Sequence, residues 1–233
     1  MIDNFADNLS MSAVCDTAFL AKSMREETIW DVLNRNLFFV KDAVKLSEAK
    51  LSDKIDLYDP EQQQPLVHVR EPEITTFTKV SRLYGGTYDR GAAFDLVANF
   101  ADTTHQILRV SRASSTFVLN GGPVDIADNR GSIIGTLKKQ VWTVGRKYKF
   151  IDRIEEQSFG MEIRTNVFGS EIGVIIDNKK VAGIVRKWKD SHEDYFKAGK
   201  FAYALWISSD VEKNSRLRQI LVAFGIAHHR VMP

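Results

Sequence analysis

The chain has 233 residues, 44% hydrophobic and 27% charged, with 32 Lys and Arg against 30 Asp and Glu for a formal charge of +2. That balance, with a mean hydropathy of −0.22, is that of a soluble globular chain and excludes a disordered, fibrous or membrane-embedded body. A single cysteine, Cys15, excludes an intramolecular disulfide framework and points to a reducing compartment.

The first eight residues contain Asp3 and Asp7, lack Lys and Arg, and precede no apolar core of an export signal, so a cytoplasmic location is expected. Ala13, Val14, Ala18 and Ala21 recur at helical spacing, and a second short helix is predicted from Glu26 to Leu33, with Ile29, Trp30 and Leu33 on one side. Residues 1–35 are thus read as an N-terminal helical extension. Residues 1–75 hold 8 basic and 14 acidic side chains, a net of −6, whereas residues 76–233 hold 24 and 16, a net of +8. An acidic beginning facing a basic remainder suits an anionic partner or internal neutralisation.

From Asn36 the texture changes to short alternating runs separated by turn-formers, the pattern of antiparallel strands. Leu37 to Val40 opens it. Lys54 to Tyr58 and Leu66 to Val69 flank a turn-rich stretch, as do Phe94 to Asn99 and Gln106 to Val110. A partial repeat follows. Ile126-Ala127-Asp128-Asn129-Arg130 then Ile133-Ile134-Gly135-Thr136-Leu137-Lys138-Lys139 parallels Ile176-Asp177-Asn178-Lys179-Lys180 then Val181-Ala182-Gly183-Ile184-Val185-Arg186-Lys187. Asn tolerates the left-handed conformation of a tight hairpin turn, and Gly135 and Gly183 mark a bulge or a close approach in the returning strands. Two copies are too few for a propeller, and full closure protects strand edges.

Ser209-Asp210-Val211-Glu212 has the pattern of a capping box, predicting a helix over about 210–229. Leu217, Ile220, Leu221 and Phe224 form one stripe, and Val222, Ala223, Ile226 and Ala227 make its second half apolar all round. A helix of that kind is buried, and its apolar stretch is too short for a bilayer. The expected fold is therefore mainly β: a closed antiparallel barrel of about 12 strands over residues 36–233, enclosing a hydrophobic C-terminal helix.

A barrel of hairpins with an enclosed helix resembles the tubby C-terminal-like superfamily, and the local sequence looks most like its phospholipid scramblase and LURP-one-related families. The carrying stretches are Ile134-Gly135-Thr136-Leu137-Lys138-Lys139-Gln140-Val141-Trp142, Ala182-Gly183-Ile184-Val185-Arg186-Lys187-Trp188, and Phe201-Ala202-Tyr203-Ala204-Leu205-Trp206-Ile207 before Asp210-Val211 and the apolar helix. The resemblance implies binding of phosphoinositide or other anionic headgroups through surface basic residues. Where scramblases carry an acidic calcium-binding segment, this chain has Phe196-Lys197-Ala198-Gly199-Lys200-Phe201, and lysines offer no oxygen ligands, so no calcium and no other cofactor is expected.

Basic residues gather in the matching hairpins, giving Lys138, Lys139, Arg146, Lys147, Lys149, Arg186, Lys187 and Lys189 as the candidate lipid- or phosphate-binding set, with Trp142 and Trp188 suited to a membrane interface. Catalytic patterns are missing. Gly85 to Gly91 lacks the Lys-Ser or Lys-Thr ending of a phosphate loop, His228 and His229 point apart on a helix, His192-Glu193-Asp194 lacks a second histidine at helical spacing, and Cys15 lacks an evident histidine partner. The expectation is a non-enzymatic barrel peripheral to a membrane. The alternatives are a protein-interaction or small-ligand scaffold docking through the N-terminal helices, and calcium-independent lipid scrambling. Nucleic acid is disfavoured, as no recognised motif accompanies the pI of about 8.5.

Overall fold

The computed structural model describes residues 29–42, 54–60, 64–72, 93–113, 122–140, 146–154, 158–165, 171–185 and 203–231. The predicted N-terminal helices before Ile29, Cys15, the Gly85 to Gly91 stretch, Trp142, Trp188 and His192 to Asp194 lie outside these residues.

Residues alternating between apolar and polar bury one face and wet the other, and here they form twelve strands. These are β1 Leu37–Asp42, β2 Lys54–Tyr58, β3 Pro65–Arg70, β4 Phe94–Phe100, β5 Gln106–Arg112 and β6 Val124–Ala127, then β7 Ile133–Lys139, β8 Arg146–Asp152, β9 Ser158–Thr165, β10 Glu171–Ile176, β11 Lys179–Val185 and β12 Tyr203–Ile207. Each strand pairs antiparallel with its neighbours in sequence, and β12 pairs with β1 to close the barrel, Leu37 lying opposite Trp206 and Val40 opposite Tyr203. The expected closed antiparallel barrel is present. Phe38, Val40, Leu57, Val69, Leu96 and Phe150 are among the buried residues of its core.

About eight strands make a barrel that inward side chains alone can fill, so twelve leave a lumen needing further filling. The C-terminal helix α1, Arg216–Val231, supplies it. It touches β5 and β6 on one side and β11 and β12 on the other, strands half a circumference apart. Ile220, Leu221, Val222, Ala223, Phe224, Ile226 and Ala227 are all buried, as the all-round apolar pattern predicts. Close packing depends on Gly225, where an added Cβ would collide with the Leu205 side chain. Tyr203 donates its hydroxyl to the Gly225 carbonyl at 3.1 Å, and the buried His228 ring meets Tyr203 edge-on at 4.7 Å.

The helix begins at Arg216, later than the Ser209-Asp210-Val211-Glu212 pattern predicts. Ser215 is the capping residue, its hydroxyl 3.4 Å from the Arg218 amide, and Asn214 turns the chain just before it with φ 55°. Residues 29–33 form a helical turn, and Ile29, Val32 and Leu33 belong to the barrel's own core. The barrel unit therefore starts before Asn36.

The Asp177-Asn178 turn between β10 and β11 has positive φ at both residues, 48° and 61°, as a two-residue hairpin turn of this twist requires. Its counterpart is built differently. The 128–132 turn takes its positive φ at Gly131 and not at Asn129, while the Asp128 carboxylate accepts from the Arg130 and Ser132 amides. Both predicted glycines permit close approach, on opposite faces. The Phe150 ring occupies the space beside Gly135 inside the barrel, and the Trp206 indole crosses Gly183 outside it, 2.5 Å from where a Cβ would sit.

Candidate functional site

Strand alternation sorts the candidate basic residues. Tyr148, Phe150 and Asp152 of β8 face inward, leaving Lys147 and Lys149 exposed on the outer wall. Phe150 pairs with Leu137, so the next rung sets Lys138 of β7 directly opposite Lys149, both outward. Lys139 pairs with the inward Tyr148 and is half-buried, so Lys138 and Lys139 do not share a face. Arg146 begins β8, its backbone opposite Ile163. Arg186, Lys187 and Lys189 lie outside the described residues.

On the far side of Lys149 the rung ends at Gly160 of β9, where an added Cβ would meet nothing within 4 Å. Lys138, Lys149 and Gly160 thus make an open shelf with two cations on it. Beside it is a hollow of about 200 Å³ lined by Gln140, Lys147, Gly160, Glu162, Asp177 and Asn178. Glu162 and Asp177 make that hollow mixed in charge, so it does not suit a polyanion. Glu162 lies opposite Lys147, and its carboxyl is held below the usual range, chiefly by its hydrogen bond from Arg164 and further by the charges of Arg164 and Lys147.

Like charges directly opposite on a sheet destabilise it. Elsewhere on the barrel, outer cations meet carboxylates: Arg109 with Asp95, Lys180 with Glu171, and Arg70 with Asp56. Among the described residues Lys138 and Lys149 make no ion pair. Across β6 to β8 and their turns, every exposed charged side chain described is a cation: Arg130, Lys138, Lys147, Lys149 and Arg153. The carboxylates of this wall are turned to internal bonds. Asp125 accepts from Thr136 Oγ1 at 2.6 Å, Asp128 caps its own turn, and Asp152 holds Arg216 Nη1 at 2.9 Å and the Ile154 amide at 2.7 Å.

A second outer-wall network escaped the sequence reading. Asp56 on β2 accepts from His68 Nδ1 and Arg70 Nη2 on β3, each at 2.7 Å, while Arg70 Nη1 donates to the Ile55 and Val69 carbonyls. The signal was His68-x-Arg70, two residues on one strand face, but their partner is identified only by the β2–β3 register. Tyr58 shares that face of β2 and titrates above the ordinary tyrosine value, first through burial and then through the Asp56 charge, with Arg70 opposing. Because the folded-state value is raised, the stability coupled to it is present below about pH 10 and is lost as pH rises through that value. Asp56→Asn is expected to move Tyr58 ionisation to lower pH in an alkaline absorbance titration with Tyr58→Phe as the blank. An unmoved midpoint would contradict the coupling.

Among the described residues no group of three His, Cys, Asp or Glu side chains is placed to hold a metal ion, and no helix is long and apolar enough to cross a membrane. No protein-family model matches the chain, and no curated protein or solved structure matches it either.

Proposed function

We propose that this barrel binds anionic phospholipid headgroups at a membrane surface, without catalysis, through the wall formed by β6, β7 and β8. One observation carries the reading: on that wall all the described exposed charges are positive, while Asp125, Asp128 and Asp152 are engaged in internal hydrogen bonds. A like-charged pair such as Lys138 and Lys149 costs stability in the free protein, and a phosphate seated over the shelf relieves it. The membrane would be the cytoplasmic face, where anionic lipids attract each nearby Lys or Arg by about 1 kcal/mol.

The test is co-sedimentation with phosphatidylcholine vesicles containing phosphatidylserine or phosphatidylinositol 4,5-bisphosphate. Lys138→Glu with Lys149→Glu is expected to weaken binding on the order of a thousandfold, since reversal replaces two attractions with two repulsions. Raised salt should weaken the wild-type protein as well. Unchanged sedimentation of the double variant would remove the site. Tighter binding to single-stranded nucleic acid than to vesicles at equal salt would replace lipid with nucleic acid as the partner.

A further inference from the structure

We propose that Ile133 and Ile154 form an apolar wedge that enters the acyl boundary of an anionic bilayer while the neighbouring cations hold the headgroups. This rests on the lipid-surface reading above and adds how the barrel is seated. Ile133 and Ile154, 49% and 55% exposed, are the exposed large hydrophobic residues among those described, and both belong to the β7–β8 pair. Ile133 begins β7 and Ile154 follows the end of β8. They flank the last backbone bond between the two strands, from the Arg153 amide to the Ile134 carbonyl at 3.1 Å.

A single exposed isoleucine is ordinary, but two at one hairpin end, beside a wall whose described exposed charges are all positive, form a surface with a matching partner. An interface with both an apolar interior and a negative skin satisfies both halves, whereas a soluble polyanion satisfies only the charges. The local backbone is prepared for a drier setting. The Ile154 amide is spent on Asp152 Oδ1, the Arg153 amide on Ile134, and Ile133 is in register with Ala127 on β6. Burial of these groups would therefore leave few amides unsatisfied. Arg153 precedes Ile154 and Arg130 lies three residues before Ile133, Glu155 and Glu156 follow Ile154 outside the described residues, and the Lys138–Lys149 rung lies five residues along each strand, roughly 17 Å away. Five residues is an odd step, so strand alternation turns the wedge to the opposite face of the sheet from the Lys138–Lys149 rung, at the barrel's rim, and both meet one membrane surface only if the barrel tilts with that rim leading.

The experiment uses the full chain in a Cys15→Ser background with an environment-sensitive fluorophore on Ile154→Cys or, as control, on Ser209→Cys, an exposed position after β12. With phosphatidylcholine vesicles containing phosphatidylserine, the label at 154 is expected to shift to the blue and be quenched by acyl-chain quenchers, and the label at 209 to do neither. Ile133→Ser with Ile154→Ser, its melting transition checked against wild type, is expected to lose vesicle affinity on the order of tenfold at salt high enough to screen the lysines. Failure of either result overturns the wedge. If wild type still binds these vesicles and the Lys138→Glu, Lys149→Glu variant does not, the headgroup reading stands without it. If wild type binds no vesicle, both fall.

Discussion

Arg218→Ala is expected to lower unfolding stability by about 3–5 kcal/mol, the scale of leaving several buried neutral acceptors unpaired around a cavity. Arg218 is 1% exposed and is the largest of the fully buried side chains. Its bonds account for all five guanidinium hydrogens: Nε and Nη2 to the Val211 carbonyl, Nη1 to the Asn34 and Arg35 carbonyls, and Nη2 to Asn36 Oδ1. The acceptors are all neutral, and burial pushes the guanidinium below its usual value. Truncation would leave these oxygens facing a cavity and sever α1 from the segment before β1. The paired Asn34 and Asn214, bonded at 2.6 and 2.8 Å, would remain as a weaker tie. Arg218→Lys should recover only part of the loss, because an ammonium has three donors and no planar fork. Urea unfolding measures it, and a loss below about 1 kcal/mol would show that this cage does not hold the helix.

Gly135→Ala is expected to cost about 3 kcal/mol, at the upper end for overpacking a core, because its Cβ would fall within the Phe150 ring. Phe150 is fully buried and packed at a tilt against Phe159, ring centroids 5.1 Å apart, so it has nowhere to retreat. Gly160→Ala is the matched control. It lies on a neighbouring rung system with open space above it, and removing glycine's freedom in the unfolded chain favours the variant by roughly 0.4–1 kcal/mol. Thermal melts of the two should therefore move in opposite directions. Equal destabilisation would mean that both glycines are needed for backbone reasons and not for the ring.

The strands were legible because one wet and one dry face leave a period of two, and the Asp177-Asn178 turn because few side chains accept consecutive positive φ. The buried helix was legible from Val222, Ala223, Ile226 and Ala227 on its otherwise polar side. Its first residue was not. Ser209 and Glu212 satisfy a capping-box pattern, but Ser215 caps the helix, and the choice is made by contacts from Asn214 and Arg218 to Asn34, more than 170 residues away in sequence. The basic residues were legible as a group, but the opposition of Lys138 to Lys149 follows from the Leu137–Phe150 register, and the separation of Lys138 from Lys139 from strand parity. The exposure of Ile133 and Ile154 had no signal, since buried and exposed isoleucines at strand ends look alike in one dimension.

The closing rung has a kinetic consequence. Eleven of the twelve pairings join strands adjacent in sequence and can form as each hairpin emerges, but β1 must wait for β12, with Leu37 meeting Trp206. At about 5–20 residues per second of synthesis that wait is roughly ten to thirty seconds. During it, the edge bearing Phe38, Phe39 and Val40 has no strand on one side, so nascent chains are at greatest risk of pairing with one another, or with a chaperone, just before the ring closes.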